Sequence, residues 1–195
     1  MFRNMNVPNL CINRRGAVSV EFVLVSLVLI FFLIFLTDLF IRQATRSKLD
    51  RVAYSVAGVL RERVQLFDAR ETLSQQDVDQ AARLAARMLS DMHTDIDLSR
   101  LQLTVEELHF TDPLRLNDAS KRIKSYQRWY SGGSAQCAPP QALNQLTQLT
   151  PKGSYGRWVP LYQVTVCLPN ISWYTRLLSM EQAPVLSSFA IVMLR

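Results

Sequence analysis

An apolar run near the start of the chain, Ala17 to Leu36, limits most strongly what this sequence can form. Only Ser19, Glu21 and Ser26 interrupt it, and it contains neither Pro nor Gly. Its 20 residues, at about 1.5 Å of rise each, reach across a hydrocarbon core of about 30 Å. No second run of comparable length follows, so the sequence predicts one transmembrane helix, over residues 17–41 with its flank. Glu21 is the anomaly, because an isolated carboxylate inside a membrane helix is costly.

Basic residues lie on both sides of the run, Arg3, Arg14 and Arg15 before it and Arg42, Arg46, Lys48 and Arg51 after it. Counting them does not orient the helix. The short flank, with its basic pair against the span, and the opening of the far side with Asp38 favour an N-terminus in the cytoplasm. Residues 42–195 are then extracytoplasmic. The net charge is +6, and from Arg42 onward 19 Lys and Arg stand against 14 Asp and Glu without a dense basic stripe. That pattern argues against nucleic acid as a partner. Cys137 and Cys167 both follow the span, whereas Cys11 precedes it. In an oxidising compartment Cys137 and Cys167 form a disulfide, the alternative being two unrelated thiols.

The stretch Arg14-Arg15-Gly16-Ala17-Val18-Ser19-Val20-Glu21-Phe22 accounts for the misplaced charge. A cleaved secretory signal fits poorly, because "TDLFIRQATRSK" after Leu36 offers no good small-x-small site. Lipoprotein and twin-arginine signals fit no better. Gly16 to Phe22 resembles the prepilin cleavage site of type IV pilins, in which a short basic leader ends in Gly and Glu is the fifth residue of the mature chain. Glu followed by an aromatic resembles the Flp, tight-adherence branch. The large C-terminal part distinguishes the chain from the short major Flp pilin and is similar to the TadE/TadF-type pseudopilins, with TadF the closer match. The resemblance implies that residues 1–16 are a cytoplasmic leader removed by a prepilin peptidase between Gly16 and Ala17. It also implies that Glu21, beside Phe22, pairs with the α-ammonium of another subunit. A glutamate that simply snorkels to the headgroups is the alternative, and it leaves Gly16 and the leader without a role.

Beyond the span, Leu49, Val52, Ala53, Val56, Val59, Leu60, Val64 and Phe67 recur at helical spacing, so the first helix is expected to run to about Phe67. Ser74 and Asp77 resemble a capping box opening a second helix, with Val78, Ala82, Ala85, Met88, Leu89 and Met92 on one face. Four strands are expected after it. The first begins at Leu101, with a bulge at Glu106-Glu107. The second covers 123–130. The third covers 158–168, its beginning placed at an edge by Pro160. The last covers 185–194, apolar on both faces and so central or helix-covered. The Gln-, Gly-, Pro- and Thr-rich connection from Gly132 to Trp158 reads as an exposed loop. The expected class is α+β and pilin-like: a long N-terminal helix, a second helix and an antiparallel sheet of about four strands.

Nothing in the chain resembles a catalytic constellation. The two histidines, His93 and His109, lack metal-ligand spacing, and Asp95 and Asp97 beside His93 read as solvated loop carboxylates. Trp129, Tyr130, Trp158, Trp173 and Tyr174 sit at strand-like spacing more typical of core and sheet surface than of a ligand groove. The sequence therefore predicts no enzyme, no cofactor and no metal. It predicts a minor pilin needed to assemble a tight-adherence pilus, and hence for adhesion and biofilm formation. The expected partners are the prepilin peptidase, other pilins, the inner-membrane assembly platform and lipid. The expected location is the bacterial inner membrane with a periplasmic domain, incorporation in or at the tip of the pilus staying open. An unprocessed, signal-anchored binding or sensor domain is the alternative.

Overall fold

The computed structural model describes residues 14–67, 70, 72–92, 98–113, 120–132, 137–153, 155–169 and 185–194. The chain divides into two compact units, Met1–Arg42 and Gln43–Arg195. Helix α1, Arg14–Phe67, contributes residues to both.

In the first unit α1 carries the apolar run, and none of its residues from Val18 to Leu36 is buried within the protein. Polar groups at its far end are satisfied locally. The Thr37 hydroxyl donates to the Leu33 carbonyl at 2.9 Å, and Arg42 pairs with Asp38 one turn back at 2.8 Å.

The second unit is a layered α+β domain. Leu49, Val52, Ala53, Val56, Ala57 and Leu60 of α1 are buried, a stripe at intervals of three and four residues. Val59, expected in that stripe, is 47% exposed, because it falls on the outer flank and Ala57 takes the inner position. Val64 and Phe67 have no described side-chain placement. Helix α2, Gln75–Met92, opens with a reciprocal cap: the Ser74 N–H donates to Asp77 Oδ2 at 2.8 Å and the Asp77 N–H to Ser74 Oγ at 3.3 Å. It buries Val78, Ala81, Ala85 and Leu89, with Ala82, Met88 and Met92 partly buried against the same core. Arg63 fixes the connection between the helices. Its guanidinium donates to the carbonyls of Arg70 and Thr72 at 2.6 and 2.9 Å and pairs with Asp77 at 2.9 Å. Lys48 of α1 donates to the Met92 carbonyl at 3.1 Å, satisfying an open group at the C-terminal end of α2.

Four strands, β1 (Gln102–Phe110), β2 (Ile123–Ser131), β3 (Leu161–Pro169) and β4 (Val185–Met193), form an antiparallel sheet in the order β2-β1-β3-β4. Leu103 and Val105 of β1 join Tyr162, Val164 and Val166 of β3 in the core shared with the helices. The opposite face carries Thr104, Glu106 and Leu108, alternating as strand geometry requires.

Three strand expectations are corrected by this topology. The register shift lies at His109/Phe110, not at Glu106-Glu107, where both carboxylates find partners without breaking the ladder. β3 is interior, paired with β1 and β4, and buried throughout Leu161–Leu168; Pro160 stands just outside it and costs the ladder no hydrogen bond. β4 is an edge strand, paired with β3 alone among the described residues, so the central place is overturned, while the helix-covered alternative holds for its inner face, where Ala190 lies in the core shared with the helices.

The connection after Gly132 is only in part an exposed loop, since exposed residues such as Leu149 and Tyr155 alternate with buried anchors. Residues 137–153 and 155–158 form a strap over the far face of the sheet, with short 3-10 turns at Leu143–Gln145 and Thr147–Leu149. Cys137, Leu143 and Thr150 are buried, and Leu143 packs with Leu108, Phe110 and Leu161 in a second core. Gly132 turns the chain out of β2 with φ +90°; a Cβ there would stand 2.4 Å from the Leu101 carbonyl oxygen.

Candidate assembly site and the domain that carries the strap

The residues proposed for processing lie at the beginning of α1. Arg14, Arg15, Gly16 and Ala17 are its first residues, so the expected cut falls in a helical backbone. Cys11 and Arg3 lie outside the described residues. Glu21 follows Ala17 by one turn, about 6 Å along the axis. It is exposed and forms no ion pair with another described side chain, while its neighbour Phe22 is 71% exposed. The site is therefore a single carboxylate on a helix surface that is otherwise apolar and uncovered. Such a surface fits the packing of other apolar helices, and its carboxylate fits a cationic group brought by one of them.

Cys137 and Cys167 belong to the other unit and are joined by a disulfide, with Cα atoms 5.6 Å apart. The bond ties the strap to β3. It has no part in the Gly16–Phe22 stretch. His93, Asp95, Asp97, Trp173 and Tyr174 lie outside the described residues. Among the described residues no three His, Cys, Asp or Glu stand together as a metal site. Trp129 packs against the helix-side core and Trp158 against the strap-side core, with the Lys121 and Lys152 ammonium groups over the Trp158 ring at 4.6 and 5.0 Å from its centre.

Sequence reasoning missed the polar groups that hold the domain together. Glu106 has no exposed surface. One of its oxygens accepts from Tyr126 Oη at 2.8 Å and from Arg128 Nε at 2.5 Å; the other accepts from the Leu143 N–H of the strap at 2.8 Å. Arg128 stands directly opposite Glu106 in the ladder. Burial, then the Glu106 carboxylate, push the Tyr126 phenol up to about 12. Burial alone would lower the Arg128 value, but hydrogen bonding and the Glu106 charge hold it above the ordinary range. On the opposite face Glu107 accepts from the Leu73 N–H at 3.0 Å and pairs with His109. Thr104 Oγ1 donates to the Cys137 carbonyl at 2.5 Å, and Gln163 Nε2 to the Gln141 carbonyl at 3.3 Å. The available sequence signal was the pair of glutamates inside an apolar alternation, which needs buried partners.

A family model for the tight adherence pilin protein F, TadF, matches residues 9–195. The chain belongs to the TadF family. Neither a curated protein nor a solved structure matches it. TadF proteins are pilins of the tight-adherence pilus, a structural family and not a catalytic one, and membership implies contact with other pilus components. For a TadF chain, one long apolar N-terminal helix is compatible with a single-pass membrane anchor. The match covers the strap and the sheet as well as the apolar helix, so the layered domain is part of what TadF denotes.

Proposed function

We propose that this chain is a pseudopilin of the tight-adherence pilus, cut by a prepilin peptidase between Gly16 and Ala17 and active through assembly. Residues 17–41 anchor it in the bacterial inner membrane, its N-terminus on the cytoplasmic side and residues 42–195 in the periplasm. Cleavage removes Arg14 and Arg15 with the leader and frees an α-ammonium at Ala17. Glu21 of one subunit then pairs with that terminus on a neighbour, while Phe22 and the apolar helix surface pack against neighbouring pilin helices. Through that assembly the protein serves adhesion and biofilm formation.

The observation that carries this reading is the position of Glu21, exposed one helical turn after the Gly16–Ala17 bond on an otherwise apolar helix face, in a TadF-family chain. An unpaired carboxylate there is costly, and a partner subunit's α-ammonium offsets that cost. Glu21→Ala tests it. The variant should accumulate with its Cys137–Cys167 bond intact and still fail to support pilus production. Normal pilus formation by Glu21→Ala would count against the assembly role.

A further inference from the structure

The two edges of the sheet are unlike one another. β2 carries Lys124 and Arg128, and the Gln75 side chain of α2 donates to its Tyr130 carbonyl at 2.8 Å. Charged side chains and capped backbone groups are how natural edges avoid pairing with another chain. β4, Val185-Leu186-Ser187-Ser188-Phe189-Ala190-Ile191-Val192-Met193, has no charged residue, no Pro and no Gly over nine residues. Its inner face is accounted for: Ala190 lies in the helix-side core and Ser188 donates to Asp50 of α1. Its outer face presents Val185, Phe189 and Met193 in a row, at 45%, 43% and 44% exposure.

We propose that β4 is a homotypic docking edge, at which two copies of this chain pair antiparallel, β4 to β4, and join their sheets into one. The strand is self-complementary about Phe189. A two-fold axis there sets Phe189 opposite Phe189, Val185 opposite Met193 and Ser187 opposite Ile191, all on the same face. Every exposed apolar residue of the edge then meets an apolar partner, and no like charges meet. The ends fit as well. A cleft of about 400 Å³ beside the C-terminal end of β4 is lined by Arg61, Val159, Ile191, Val192, Met193 and Leu194. In this register the partner's Val185 arrives beside Met193, at that cleft. A second copy is the occupant that this spacing suits, because Val185 and Met193 stand equally far from Phe189 along the strand. The inference requires neither cleavage after Gly16 nor the role of Glu21, so it stands or falls separately from the proposed function.

Cysteine cross-linking of the full chain in membranes, in a Cys11→Ser background, tests the register. Directly opposed residues of an antiparallel pair have Cα atoms about 4.5–5.5 Å apart, within reach of a disulfide or a short bis-maleimide. Phe189→Cys should give a covalent dimer. Val185→Cys alone and Met193→Cys alone should not, since each lies about 27 Å from its own mate at eight residues of strand rise. Co-expressing the Val185→Cys and Met193→Cys chains should restore the dimer. Gln127→Cys, at the centre of β2, should stay monomeric. If Phe189→Cys fails to fold, the Val185→Cys and Met193→Cys mixture decides alone. Absence of the dimer in folded chains, equal cross-linking through Val185→Cys alone, or cross-linking only to a different protein would each overturn the proposal.

Discussion

Glu106 joins three segments that are distant in the sequence: β1, which carries it, β2 through Tyr126 and Arg128, and the strap through the Leu143 N–H. Removing the carboxylate leaves the buried Leu143 N–H without its acceptor, at a cost of about 1–3 kcal/mol, while the half-exposed Arg128 can turn to water. Glu106→Ala should therefore lower unfolding stability by about that amount, read as a fall in the denaturant midpoint of the purified chain in detergent. A change below about 1 kcal/mol would show that the strap does not depend on this carboxylate. Asp77 acts at the same scale with a visible pH signature. Burial tends to raise its carboxyl, but hydrogen bonds from Ser74 and the Arg63 guanidinium outweigh that and leave it below the ordinary carboxylate range. A depressed value means that the unfolded chain takes up the proton first as pH falls. The stabilisation is present above the ordinary value of about 3.9 and is lost as pH falls below it. The stability advantage of the native chain over Asp77→Asn should accordingly shrink between about pH 5 and about pH 3. A difference that stays constant over that range would contradict this reading of the cap.

At the level of elements, helices and strands were unequally legible. The periodicity from Leu49 to Leu60 and the Ser74–Asp77 cap are local signals, and α1 and α2 follow them. Alternation in a strand shows which residues share a face, but it does not reveal the neighbouring strand. For that reason Pro160 suggested an edge for the beginning of β3, and the apolar composition of β4 suggested a central or helix-covered place, whereas the sheet order puts β3 inside and β4 at an edge. The strap was illegible for a related reason. Its burial rests on a few residues, Cys137, Leu143 and Thr150, set among Gln, Pro and Thr, and on hydrogen bonds from residues of β1 and β3 that only the folded register brings near. The Cys137–Cys167 bond, spanning 30 residues, fastens this element. Loop-closure entropy for such a span is worth about 3–4 kcal/mol. The Cys137→Ser, Cys167→Ser double variant should lose about that much, and limited proteolysis should cut it first between residues 137 and 158. A variant as stable and as resistant as the parent would show that the hydrogen bonds alone hold the strap.

Across the whole molecule, the chain combines an exposed apolar helix surface bearing one carboxylate with a disulfide-bearing α+β domain, each described as its own unit. The apolar helix was readable because its signal is local in sequence, and the proposed peptidase site rests on an equally local one: Arg14, Arg15, Gly16 and Glu21 lie within a few residues of one another. The TadF match covers the domain as well as the helix, and no local pattern could have exposed the domain's sheet edge. What unites these parts is the proposal that the chain works by assembly, and assembly begins with the cut that frees Ala17. Intact-mass measurement with N-terminal sequencing of the chain recovered from membranes tests this most directly. A mature protein beginning at Ala17, lighter by residues 1–16 and still carrying one disulfide, is the predicted result. A chain that retains Arg14 and Arg15 in cells with an active prepilin peptidase would contradict it.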